Sequence, residues 1–192
     1  ELQPNKTSYY RATNISTTEQ GISSTIEITW IEEVEEKLSF TDNRQKVIAE
    51  TKDGDLTRRT IQIVQDTRDF TGARTLTNAY EGLEGYEEYL QPTQLIECDN
   101  EEIINLAEQI IGDETDSWSA VKLLLNWTHN YLEPLQPIGA LSATNILRTM
   151  KGNSTEYSIL FTSLARALGI PTKISIGQQY DYKGLTAFKV HT

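Results

Sequence analysis

Cysteine is almost absent from this chain. Cys98 is the only one in 192 residues, so no internal disulfide can form and cysteine usage leaves the redox compartment open. Histidine is nearly as scarce. His129 and His191 are the only two, and two imidazoles with one distant thiol do not make a metal centre. No apolar run approaches the roughly 18 residues of a membrane-spanning helix, so no span is expected. Basic residues are outnumbered, 17 against 28 acidic ones, for a formal charge of -11. That balance disfavours nucleic acid and anionic membrane surfaces as partners and is read as a solubility device. Internal repeats and low-complexity blocks are missing as well. Glu1 stands where an initiating methionine would, as expected of a processed product or of a chain that begins downstream of its true start.

What is present divides near residue 92. Before it, Thr, Ile and Val alternate in short runs, Thr25 to Ile31, Gln45 to Thr51 and Thr57 to Gln65, which predict strands. Asp53-Gly54-Asp55 between two of them reads as a hairpin turn, because it lacks the spacing and the glutamate of a calcium loop. Tyr80 to Leu90 reads as a connector closed by Gln91-Pro92. After Pro92 the apolar period becomes 3.6. Asp99 with Glu102 is expected to cap a helix carrying Ile103, Ile104, Ala107, Ile110 and Ile111 and ending at Gly112. A second helix is expected from near Asp116, with Val121, Leu124, Leu125, Thr128 and Tyr131, before Pro134. A short third one follows Ser142. Thr172 to Tyr180 and Leu185 to Thr192 are expected to pair as antiparallel strands around Lys183-Gly184.

Between those helices and that strand pair lies GNSTEYSILFTSLARALGIP, residues 152 to 171. Tyr157, Leu160, Phe161, Leu164, Ala165 and Leu168 recur at helical spacing and predict a buried face. Asn153 or Ser154 serves as N-cap, Gly169 can take a left-handed conformation past the end, and Pro171 forbids continuation. Residue 154 falls in the first turn, where free backbone N–H groups and the dipole stabilise an anion. A thiol there would ionise readily. A serine hydroxyl gains far less and needs a strong neighbouring base.

The same stretch resembles the nucleophile helix of the transglutaminase-like cysteine hydrolases, a papain-like superfamily. Gly152, Glu156, Leu160, Phe161, Leu164, Arg166, Ala167, Gly169, Ile170 and Pro171 fit its pattern, and Ser154 stands where the catalytic cysteine belongs. The resemblance covers residues 93 to 192, is sharpest from Ala140 to Pro171, and implies an α+β fold in which helices pack on an antiparallel sheet. It implies His191 as the family histidine; the tryptophan and the third triad residue that follow it in the family would lie past Thr192. It also implies a thiolate that attacks an amide carbonyl, an imidazole that passes the proton to the leaving nitrogen, and N–H groups at the helix start that hold the oxyanion. Without the thiol, that chemistry is not expected here.

Other residues read more plainly. His129, on the solvent edge of the second helix, reads as structural, and Cys98, in a connector with no histidine near it, reads as incidental. Trp118 and Trp127 read as core aromatics rather than active-site walls. Gly152 to Glu156 is no serine-hydrolase elbow, and Ser119 to Lys122 lacks the companion motifs of a penicillin-binding site. The Asn-x-Ser/Thr triplets at Asn5, Asn14, Asn126 and Asn153 carry little weight in a Thr-rich chain. The expectation is therefore a β-rich region, 1–92, ahead of a partial transglutaminase-like core, 93–192, from a secreted or cell-envelope protein. Its catalytic-position residues are Ser154 and His191, and neither cofactor nor metal is called for. A protein or peptide is the expected partner, with self-association through an unpaired sheet edge. A non-catalytic module that binds a peptide or glycan, and a structural domain that docks through its sheet edge, stand as alternatives.

Overall fold

A computed structural model describes residues 11–17, 23–31, 44–54, 56–64, 74–76, 84–134, 140–181 and 187–191. Side chains are described over 44–54, 57–64, 74–76, 84–134 and 140–177. The chain forms two compact units, Glu1–Asp69 with Gln179–Lys189, and Phe70–Gln178 with Val190–Thr192.

The first unit holds a four-stranded antiparallel sheet of β1 (Arg11–Thr17), β2 (Ser23–Ile31), β3 (Gln45–Asp53) and β4 (Leu56–Val64), in the order β1-β2-β4-β3. Alternating β-branched residues make these strands, and a period of two places Ile26, Ile61 and Val47 side by side across β2, β4 and β3. Ile61 is buried there. At the expected turn Asp53 pairs with Leu56 and Gly54 takes a φ of 60°; Asp55 lies outside the described residues. In β3 the register jumps between Val47 and Ala49, leaving Ile48 as the extra residue of a bulge and half exposed. β1 was not legible in its polar sequence, RATNIST.

The second unit is helical. α1 spans Glu101–Ile111 and buries Ile103 and Ala107. Its cap is Asn100 rather than the expected Asp99: the Asn100 side chain accepts the N–H of Glu102. Gly112 ends the helix at a φ of 56°. α2, Ser117–Tyr131, begins at Asp116, whose carboxylate accepts the N–H of Ser119 at 2.8 Å. That backbone hydrogen bond holds the Asp116 carboxyl below its ordinary pKa. α3, Ala143–Thr149, buries Ile146 and Leu147. α4, Ser154–Ala167, is the central helix; Ile159, Leu160, Leu164 and Ala165 enter one core with Ile103, Ala107, Leu124, Ala143 and Ile146.

Two features place the start of α4. Short strands β5 (Glu133–Pro134) and β6 (Lys151–Gly152) pair in parallel, tying the end of α2 to the start of α4. The Tyr157 hydroxyl donates to the Leu132 carbonyl and reinforces that tie. At the far end, Arg166 donates to the carbonyls of Thr172 and Gln91, fixing the segments on either side of the helix. The connector expected over Tyr80 to Leu90 closes in a 3-10 turn, Glu87–Leu90. β7 (Gly177–Asp181) and β8 (Ala187–His191) pair, with β7 beginning five residues later than its β-branched sequence implied; the turn expected at Lys183-Gly184 lies outside the described residues.

Candidate active site

The site is built outward from Gly152. A Cβ on Gly152 would lie 2.4 Å from the Cβ of Glu156, so the approach of α4 to its own entry strand requires the missing side chain. Glu156 is buried and its Oε2 accepts the N–H of Asn153 at 2.9 Å. Asn153 reciprocates: its side-chain oxygen accepts the N–H of Thr155 at 2.8 Å and that of Glu156, completing a capping box. Of the two cap candidates in the sequence, Asn153 is the cap and Ser154 is the first helical residue. Two of the N–H groups at the helix start are thus already taken by a neutral amide side chain. The other carboxylate oxygen of Glu156, Oε1, is buried without a hydrogen-bond partner.

Ser154 is partly buried and lines a cavity of about 280 Å³ between α2 and α4. From α4 come Ser154, Tyr157, Ser158 and Phe161, spaced i, i+3, i+4 and i+7; from α2 come Leu125, Thr128 and His129. The His129 ring lies 6.5 Å from the Tyr157 ring, tilted by 55°. His129 is exposed, as its sequence position implied, but it shares the wall of the cavity that holds Ser154. Sequence reasoning missed that placement, because its only signal is the matching of faces on two helices. Thr128 also lines the cavity and its hydroxyl is buried without a partner. Trp118 and Trp127 are not among the lining residues; Trp127 packs on the core and stacks on Tyr131 at 4.2 Å, whereas Trp118 is exposed and not the core aromatic expected.

His191 is the last residue of β8, in the same compact unit as Ser154; its side chain lies outside the described residues. Cys98 is buried, donates weakly to the Leu90 carbonyl at 3.5 Å and does not line the cavity. Desolvation pushes its thiol pKa up, aided by Asp99 and opposed by Arg166. It is an inert core thiol and not a relocated nucleophile. Among the described residues no group of three His, Cys, Asp or Glu side chains is placed to hold a metal ion, and no helix is long and apolar enough to cross a membrane.

No curated protein matches the chain. Two solved structures do. One is described as a "putative cysteine protease" from Cytophaga hutchinsonii, 15% identical, with a TM-score of 0.57 over 95% of this chain and 73% of that one. The other is described as a "putative protease" from Parabacteroides distasonis, 14% identical, with a TM-score of 0.33 over 94% of this chain and 39% of that one. At 15% identity the first likeness establishes the fold alone. The sequence of α1 through β8, by contrast, matches a family in its own right. Residues 104–192 match the model of the Transglutaminase-like superfamily.

Proposed function

We propose that residues 93–192 are a transglutaminase-like domain for acyl transfer or hydrolysis at peptide or glutamine amides, present here in a form that lacks its nucleophilic thiol. Ser154 takes the place of the thiol and His191 that of the family histidine. The observation that carries the reading is the position of Ser154. It is the first residue of a capped core helix and it opens onto a cavity. A thiol at that point would gain from the helix dipole; a hydroxyl, titrating far higher, would not ionise. A location outside the cell or in its envelope belongs to the same proposal.

Replacing Ser154 by cysteine tests it. The Ser154→Cys thiol is expected to react with iodoacetamide at mildly acidic pH at least about ten times faster than a free cysteine model compound, as a thiol of lowered pKa does. Cys98, whose burial slows it, serves as the internal reference within the same molecule. His191→Asn in that background is expected to remove part of the gain. Reaction at the free-thiol rate would make Ser154 an ordinary helix residue.

A second reading, a non-catalytic module that binds peptide or glycan, draws on one feature: Asn153 already occupies the N–H groups of Thr155 and Glu156. Under that reading the Ser154→Cys variant binds as the parent does and its thiol is not activated.

A further inference from the structure

We propose that the cavity between α2 and α4 is a side-chain pocket that receives one uncharged, largely apolar side chain of a peptide, next to the carbonyl presented to residue 154. It rests on the reading of Ser154 given above and names the substrate class that this site would select.

Three observations carry it. The walls are the side chains of Leu125, Tyr157 and Phe161. Tyr157 spends its hydroxyl on the Leu132 carbonyl, so it offers the cavity a ring and not a polar end. Among the described residues the lining is completed by Ser154, Thr128, Ser158 and the exposed His129, and none of these carries a carboxylate, ammonium or guanidinium. A charged side chain entering here would leave water without a counter-ion, at a cost that dominates any apolar gain. The third observation is size. An apolar cavity of about 150 Å³ takes benzene, and pockets for whole small molecules run from about 300 to 1,000 Å³. At about 280 Å³ this cavity suits one large side chain and falls short of a typical small-molecule site. Both walls stand on helices packed into the core, so the pocket is formed before anything binds and little ordering entropy opposes occupancy.

The test uses the unaltered chain and four peptides, acetyl-Gly-X-Gly-amide with X as Phe, Leu, Lys or Glu, titrated while backbone amide shifts are followed by NMR. The expected result is saturating shifts confined to the facing turns of α2 and α4, with the Phe and Leu peptides binding at least about tenfold more tightly than the Lys and Glu peptides. Leu125→Lys is the companion variant. Leu125 is 55% exposed, so a lysine fits there without disturbing the core, which a thermal melt would verify. It brings an ammonium to the wall and is expected to weaken the Phe peptide and raise the Glu peptide above the Lys peptide by about tenfold. Equal binding of all four peptides, absent shifts, shifts elsewhere on the chain, or an unchanged ranking in Leu125→Lys would overturn the pocket. The Ser154→Cys reactivity does not depend on these outcomes, so failure of the pocket and failure of the nucleophile position are separately visible.

Discussion

Gly152→Ala isolates the contact on which the start of α4 rests. The φ of Gly152 is not in the left-handed region, so alanine fits the backbone without strain. By itself that exchange would stabilise the protein by about 0.4 to 1 kcal/mol, because the unfolded chain loses freedom. The added Cβ, however, meets the Cβ of Glu156 at 2.4 Å, with its Cγ at 3.2 Å. Carbon atoms rest at roughly 3.5 to 4.0 Å, so the overlap exceeds 1 Å. It falls on an atom bonded directly to the helix backbone, which cannot swing away as the tip of a flexible side chain would. Overpacking of this kind costs about 1 to 3 kcal/mol. The net expectation is a loss of about 0.5 to 2 kcal/mol, or roughly 1 to 8 °C in Tm for a chain of this size. Gly177→Ala is the control. Its Cβ would meet nothing within 4 Å and its φ is also not left-handed, so it is expected to be neutral or slightly stabilising. Urea melts followed by circular dichroism would give both values. The opposite signs are the point of the pair. If Gly152→Ala were as stable as Gly177→Ala, α4 would not be seated on Gly152, and the placement of Ser154 would lose its basis.

Other outcomes follow from the same packing. Leu164 is fully buried in the helical core, and Leu164→Ala is expected to cost about 2 to 5 kcal/mol in a denaturant melt; a cost below about 0.5 would remove α4 from the core. Thr128→Val deletes a buried hydroxyl that has no partner and is expected to leave stability unchanged or raise it by up to about 1 kcal/mol, whereas a fall of that size would reveal a bond to the hydroxyl. Glu97 bears on pH. Desolvation raises its carboxyl pKa, but hydrogen bonds from the N–H and hydroxyl of Thr144, each 2.8 Å, outweigh it and the net pKa is lowered. A carboxylate whose pKa is depressed on folding adds stability above its unfolded pKa and loses it as pH falls through the folded value. Melts from neutral pH down through the acidic carboxylate range are therefore expected to show a steeper loss in the parent than in Glu97→Gln; parallel curves would refute the Thr144 linkage.

Local chemistry was legible from the residues. The ends of α2, α3 and α4, the stop at Gly112 and the turn at Gly54 depend on neighbours within a few positions, so caps, glycines and the 3.6 period specified them. The transglutaminase-like pattern rests on the same short-range block. Where two local candidates competed, Asn100 against Asp99 or Asn153 against Ser154, only the folded backbone decided, since a cap needs both a side-chain acceptor and an N–H turned towards it. β1 escaped notice because its pairing partner, not its composition, makes it a strand.

The candidate site divides along the same line. The sequence alone determined that residue 154 lies at the N-terminal end of a buried helix and that no thiol stands there. Tertiary structure alone decided that Glu156 sits on Gly152, that Asn153 consumes two N–H groups, and that His129 shares a cavity with Ser154. The first two are contacts within four residues whose geometry the folded backbone sets; the third joins segments far apart in the chain, held by the Glu133–Lys151 pairing and by the Tyr157 bond to Leu132, 25 residues away. A periodic pattern states which face of a helix is apolar. Which other helix that face meets is set by the packing of the whole core, and the cavity exists only where the two faces leave a gap.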